Sequence, residues 1–399
     1  MRGFAPARTA SCATAPASAD GALELDVDGN EFANGAYAAG TAMQVANPRH
    51  LDNVRNHPRG GSFVQVKDID FAGSCGILNA VAIAKGAKGT TITSTRSVVD
   101  AKARFYGREV GDYGWFYGWL PIGSEASPFV GTYDGGGFRI ANAVGNAVDA
   151  SSNHALSGLF GVVGDENAEG AETVVTNVVL AGSCSFHSNY LSALVCKNRG
   201  RLAIRDCDSA AEHFSAQYAA GMCAEQHEED KRGWHVSIDG CRTGGRILGK
   251  WCGGMLSYVS YGFAALSGCV FDGTMVAWEN LGGMVYYCGI NTDARCTIGN
   301  CTVKGTLSIP NGATTPASGG LIGELKATLA LTGNNLASCE MEYSGSKKIG
   351  GVIGRSDFSE ANLRAVLSGH VTVAAGVVHD VSQADKIGTY CGEPWIDSL

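Results

Sequence analysis

The apolar residues of this chain come in short stretches, bounded by glycine or another small residue and without helical spacing. Leu159-Phe160, Met255-Leu256 and Leu321-Ile322 are typical. Runs of that length predict short strands. They return inside one phrase, written Ser157-Gly158-Leu159-Phe160-Gly161, Gly253-Gly254-Met255-Leu256-Ser257 and Gly282-Gly283-Met284-Val285-Tyr286. It recurs as Gly319-Gly320-Leu321-Ile322-Gly323 and Gly350-Gly351-Val352-Ile353-Gly354, with weaker copies at Ala193, Gly221 and Gly388. Aligned on Gly158, Ala193, Gly221, Gly254, Gly283, Gly320, Gly351 and Gly388, the steps are 35, 28, 33, 29, 37, 31 and 37 residues. A period in that range marks a solenoid, a propeller or an array.

A second phrase lies between the first ones. Asn300-Cys301-Thr302-Val303-Lys304-Gly305 matches Asn177-Val178-Val179-Leu180-Ala181-Gly182. Cys207, Cys241, Cys269 and Cys339 hold the same slot, and Ala143 and Ala365 are assigned to it at the two ends. Each repeat therefore has a small-Gly turn leading into one strand and an X-Cys corner leading into another. A strand this short cannot bury its own apolar side chains. Stacked on copies of itself, about 4.8 Å apart, it forms a continuous core. Glycine at a fixed slot supplies a bend or lets neighbouring backbones approach. Cysteine at a fixed slot reads as a small apolar residue pointing into a corner. A disulfide framework is the other reading of the cysteines, but parallel side chains one rung apart do not converge as a disulfide requires. No Cys-x-x-Cys pair occurs, which speaks against structural zinc.

The expected fold is all-β, a right-handed parallel β-helix with a short N-terminal helical cap. A propeller would need a more even repeat of roughly 40–45 residues. The expected organisation is a flexible leader over 1–22, a cap with the first rungs and an aromatic-rich insertion over 23–127, and the repeats over 128–399.

The Gly-Gly-Leu/Val-x-Gly phrases resemble the GLUG repeats of bacterial surface and secreted proteins. Trp119-Leu120-Pro121-Ile122-Gly123 and Pro128-Phe129-Val130-Gly131-Thr132-Tyr133-Asp134-Gly135-Gly136-Gly137-Phe138 resemble the lead-in of that family, and Val66-Lys67-Asp68-Ile69-Asp70-Phe71 its first strand. The resemblance spans roughly residues 40 to 391. It implies the β-helix fold, an extracellular or cell-surface location and adhesin-like roles. It carries no catalytic motif. At Cys196, Ala224, Ser257, Tyr286 and Cys391 the closing glycine of the phrase is replaced.

Composition narrows the function classes. Glycine is 56 of 399 residues, near twice the usual share of about 7%. The net charge is −8 and no basic run exceeds two residues, so nucleic acid is not an expected partner. No apolar run approaches the roughly 20 residues of a membrane-spanning helix. The N-terminal stretch lacks a clear apolar signal-peptide core.

Along the chain, Asn47 and Pro48 begin a short helix, with Leu51 and Val54 on its buried face and Arg49, Asp52 and Arg55 in water. It would cover the open end of the first rung. Thr90–Thr95 reads as a strand and 96–105 as a short helix. The aromatic cluster Phe105, Tyr106, Tyr113, Trp115, Phe116, Tyr117 and Trp119 reads as cap packing or as a sugar-stacking platform. The polar run 225–232 reads as a solvated loop.

Candidate chemistry comes from the repeat alignment. The fourth residue after each aligned small residue is Val162, Lys197, Glu225, Tyr258, Tyr287, Glu324, Arg355 and Gly392. This column is expected to face outward, with Tyr258 and Tyr287 on successive rungs and Trp251 and Trp278 nearby. These four residues are the candidate ligand site, for a host or microbial glycan or a surface protein. Ordinary surface stacking is the alternative. No catalytic residue, metal site or cofactor is assigned. Asp134, Asp206, Asp208, Asp239 and Asp272 sit at corners and are expected to serve turns. A polysaccharide-degrading enzyme is the rival function, and it needs paired carboxylates across a groove. The expected structural residues are Gly158, Gly254, Gly283, Gly320 and Gly351 with the cysteines of the corner slot.

Overall fold

A computed structural model describes residues 30–71, 108–109, 115–119, 121–148, 156–165, 171–226, 234–289, 294–309, 317–343, 348–374, 378–379, 387–394, 396 and 398–399. In these residues the chain winds as an all-β parallel solenoid, in which seven coils contribute to all three faces and Ala42–Val45 and Arg59–Gln65 add two further first-face strands. One coil shows the plan. Glu172–Thr176 lies on the first face, Val179–Leu180 and Ser185–Ser192 on the second, and Val195–Asn198 on the third. Arg201–Arg205 then returns to the first face, one rung on. Among the described residues the first face has nine strands and the third has seven, paired in parallel, with one register shift on the first face between Arg59 and Gly61.

The corner between the first and second faces is made by one residue in the left-handed region. Asn177, Asp206, Gly240, Gly268, Asn300 and Gly333 all stand there, with φ between 52° and 62°. Only Gly, Asn and Asp visit this region readily, which explains the residue types in the slot. The side chain just past the bend turns into the core. Val178, Cys207, Cys241, Cys269 and Cys301 fill this position on successive rungs, all buried. Each ladder thiol donates to the carbonyl two residues back, at 3.2 Å from Cys207 to Arg205 and 3.4 Å from Cys269 to Ser267. A small apolar residue with a weak donor suits a corner whose carbonyl points inward. The neighbouring Cys301 thiol and burial push the Cys269 thiol far above its ordinary range, so it stays protonated.

Three slot assignments are corrected. The ladder ends at Asn335, because Thr302 pairs with Leu336 and sets Asn335 beside Cys301. Asn335 is fully buried, accepts from the Cys301 N–H at 2.9 Å, and donates to the carbonyls of Ile298, Thr332 and His370. A polar residue is tolerated there because both ends of its amide are bonded. Cys339 lies on the second face beside Gly305, since Thr306 pairs with Glu340. Cys184 and Ala143 share that second column. Ala365 belongs to a helix, Glu360–Leu367, which sequence periodicity did not suggest. Ser359 caps it, and Leu363 and Leu367 face inward. It packs over the last first-face strand, Thr328–Thr332.

The glycine turns join the second and third faces. A Cβ on Gly254 would lie 1.9 Å from the Gly283 carbonyl, one on Gly283 2.0 Å from that of Gly320, and one on Gly320 2.1 Å from that of Gly351. Gly158 is closed in the same way by Ser192. These residues are glycine because backbones of adjacent rungs touch, and their φ is not the reason. Gly388 pairs with Gly350, so the last copy of the phrase is displaced by one residue from the alignment above.

The N-terminal cap forms as expected. Pro48–Asn53 is helical, and the Asn47 side chain accepts from the His50 N–H at 2.9 Å. Leu51 and Val54 are fully buried. Asp52 is buried and the Arg55 side chain largely covered, not in water: they pair at 2.7 Å, and the Arg55 guanidinium lies over the Trp119 ring. Glu225 and Gln226 end a strand, Cys223–Gln226, and are buried, so these two residues are not the solvated loop expected over 225–232, whose remainder lies outside the described residues. Trp119 is buried, in line with a packing role. The leader over 1–22, the strand at 90–95, the helix at 96–105 and the rings of the other six clustered aromatics lie outside the described residues. Among the described residues no helix is long and apolar enough to cross a membrane.

The core runs the length of the solenoid as stacked apolar columns, such as Leu202, Val236, Ala264, Cys296 and Leu329. Polar residues interrupt these columns at several positions, among them Thr173, Asn198 and Gln226, and one of them is a histidine. His213 stands on the inner side of the second face between Phe186 and Ile247, fully buried, and neither ring nitrogen makes a hydrogen bond of ordinary geometry. Burial pushes its pKa down to about 4, against an opposing pull from the Glu212 backbone.

Two predictions follow from these placements. Cys269→Asp should cost roughly 3–5 kcal/mol, because it buries an unpaired charge in the ladder; denaturant unfolding measures this, and an unchanged midpoint contradicts an internal slot. His213 is neutral when folded, and its pKa is lower there than in the unfolded chain. Its share of stability is complete above about 6.5 and is lost as pH falls toward about 4. His213→Leu should therefore flatten the acid side of a melting-temperature profile in that window.

Candidate functional site

Two columns on the outer side of their strands meet at the corner between the second and third faces, and they cover one another enough that Val162, Glu225, Tyr287 and Glu324, expected to be exposed, are buried. The third-face column is the one read from the repeat: Val162, Lys197, Glu225, Tyr258, Tyr287, Glu324 and Arg355 are paired rung by rung. The second-face column is Tyr190, Tyr218, Trp251 and Asn280. Apart from Trp251, which was placed near the tyrosines, its members are not visible in the alignment, because each of these strands carries an irregularity that shifts its register just before the aromatic residue.

The rings form one continuous group. Tyr258 and Tyr287 stack at 4.8 Å with an interplanar angle of 13°. Tyr190 and Tyr218 stack at 5.1 Å, and Tyr218 also meets Trp251 at 4.8 Å and Tyr258 at 5.1 Å. Tyr286 lies behind them, parallel to Trp251 at 6.3 Å. Tyr286 stands where other copies of the phrase have their closing glycine. That slot holds Cys196, Ala224, Ser257 and Tyr286 in the four coils where one unbroken second-face strand leads into the turn to the third face. It holds Gly161, Gly323 and Gly354 where that leading stretch is interrupted. At Gly323 and Gly354 a Cβ would meet backbone at 2.5 and 2.4 Å.

Trp278 is placed differently from the other three candidates. It sits at a register shift of the second face and tilts toward Phe214, with ring centroids 6.2 Å apart at 45°. His187 lies 5.8 Å beyond Phe214. Phe214 is 48% exposed and Trp278 36%, whereas Tyr287 is only 8% exposed. The ladder rings therefore cover one another's faces and present edges and hydroxyls. The Phe214–Trp278 pair keeps ring surface open to solvent.

Cations and carboxylates border the ladder. Lys250 Nζ lies 4.1 Å from the Trp251 ring centre and pairs with Glu279 at 3.1 Å. Lys326 Nζ lies 5.8 Å from the Tyr287 ring centre and pairs with Glu324 at 3.2 Å and Asp357 at 3.9 Å. Burial, with the neighbouring Glu225 carboxylate and Tyr258 hydroxyl, pushes the Tyr190 hydroxyl up to about 12. Burial raises Tyr218, Tyr258, Tyr286 and Tyr287 as well. The phenols thus remain hydrogen-bond donors at neutral pH.

Glu225 and Glu324 flank the two stacked tyrosines but stand three rungs apart, about 14 Å. Glycoside hydrolysis needs carboxyl groups within about 5–9.5 Å, so this pair does not suit it. Three of the five corner carboxylates have a structural role. Asp134 accepts from the Gly136 N–H and Asn177 Nδ2, Asp206 makes a left-handed bend, and Asp272 pairs with Arg242. Among the described residues no three His, Cys, Asp or Glu side chains converge as metal ligands.

No family model and no curated protein matches the chain. A solved structure named "putative immunoglobulin A1 protease", from Bacteroides ovatus, is similar over 78% of this chain and 85% of that one, at 16% identity and a TM-score of 0.48.

Proposed function

We propose that the chain is a non-catalytic module of a secreted or cell-surface protein that binds carbohydrate on the outer aromatic face of its solenoid. One observation carries this reading: Phe214 and Trp278 hold exposed ring surface beside a ladder of protonated tyrosine hydroxyls. Ring faces take the apolar face of a pyranose, and phenols and lysines take its hydroxyls. In this division of labour Phe214 and Trp278 are the platform, and Trp251, Tyr258 and Tyr287 the rigid wall beside it. The GLUG-like phrases support the surface location and an adhesin-like role, for which host or microbial glycans are the natural partners.

A glycan array of the purified chain tests this. Binding should fall at least tenfold in Phe214→Ala/Trp278→Ala and less in Tyr258→Ala/Tyr287→Ala. No glycan bound by the wild type, or binding untouched by the first pair, contradicts the reading.

A further inference from the structure

Most of the described thiols bond to backbone carbonyls, as Cys196 does to Ser157 at 3.1 Å and Cys184 to Ile140 at 3.3 Å. Cys288 and Cys296 do not. Both are buried in the core, and their thiols are neighbours. Ladder thiols also neighbour one another, Cys241 beside Cys207 and Cys269 beside Cys301, but their positions differ in kind. Ladder cysteines sit on neighbouring rungs of one face with parallel side chains, each held by backbone carbonyls. Cys288 ends a third-face strand, Val285–Cys288, and Cys296 lies in the next first-face strand, Arg295–Gly299. Two faces of the solenoid meet at that corner, so their inward side chains converge, as disulfide geometry requires. The coil before has Val259 and Ala264 at the same two places, and the coil after has Leu325 and Leu329. The pair is therefore not needed to fill the corner.

We propose that Cys288 and Cys296 form a disulfide when the chain folds in an oxidising compartment, tying the third face to the first across the core. Each thiol gives up its proton, the two sulfurs join, and the two electrons reduce the disulfide of a thiol oxidant to two thiols. Burial requires the bond to form while that coil is closing, and it shields the bond from reductants afterwards. The corner ladder stays reduced, because its sulfurs are parallel and already bonded to carbonyls.

The full chain, refolded with a mixture of reduced and oxidised glutathione, is unfolded without reductant, alkylated with iodoacetamide and mapped by mass spectrometry. A peptide pair joined through Cys288 and Cys296 is expected, with Cys207, Cys241, Cys269 and Cys301 alkylated. Alkylation of both Cys288 and Cys296, or their crosslinking to other cysteines, overturns the proposal. A second measurement uses Cys288→Val/Cys296→Ala, which copies the preceding coil. Adding reductant should lower the melting temperature of the oxidised wild type and leave that of the variant unchanged. An equal response in both also overturns it.

Discussion

Everything in this molecule depends on adjacent coils staying in register. A parallel stack offers each short strand only its neighbours for hydrogen bonding and apolar cover. One residue too many within a strand would turn the side chains after it from the core to solvent, whereas a corner absorbs an extra residue, as between Thr332 and Leu336 against Gly299 and Thr302. The chain holds register with two devices per coil. A left-handed residue makes the first corner, at Asn177, Asp206, Gly240, Gly268, Asn300 and Gly333. A glycine pressed against the next rung's carbonyl makes another, at Gly254, Gly283 and Gly320. The first explains the polar or small residue before each corner cysteine. The second explains the paired glycines before each third-face strand.

These devices are also why so much of the fold is legible in the sequence. Bends and close approaches restrict residue type sharply, so they leave repeated letters. The corner cysteines, the glycine turns and the third-face column from Val162 to Arg355 could all be read from spacing alone. Legibility fails where a different residue type solves the same problem. Asn335 satisfies its buried amide with four backbone bonds and so replaces a cysteine without resembling one. Cys339 matched the phrase by letter but belongs to another column. The helix Glu360–Leu367 interrupts the repeat, and nothing in the period announces it.

The candidate site shows the same division. Tyr258 and Tyr287 belong to the repeating column and were found. Tyr190, Tyr218 and Phe214 come from the second face, whose register shifts beside them, and they were missed. Contacts between faces are not periodic in the sequence even when each face is. The one available signal was the closing slot, where Cys196, Ala224, Ser257 and Tyr286 replace glycine in the coils that carry the aromatic ladder. The consequence for function is a shift of emphasis. Self-stacked rings stiffen a surface, and the exposed Phe214–Trp278 pair beside them is better placed to meet a ligand.

The most direct test of the in-register stack is a distance. Glu172 and Thr328 are exposed residues of one first-face column, five rungs apart through Arg201, His235, Phe263 and Arg295. Spin labels introduced at these two positions through unnatural amino acids, which leave the cysteines untouched, should give a narrow distance distribution near 24 Å by pulsed electron paramagnetic resonance. A broad distribution, or a maximum displaced by more than about two rungs, roughly 10 Å, would contradict the account.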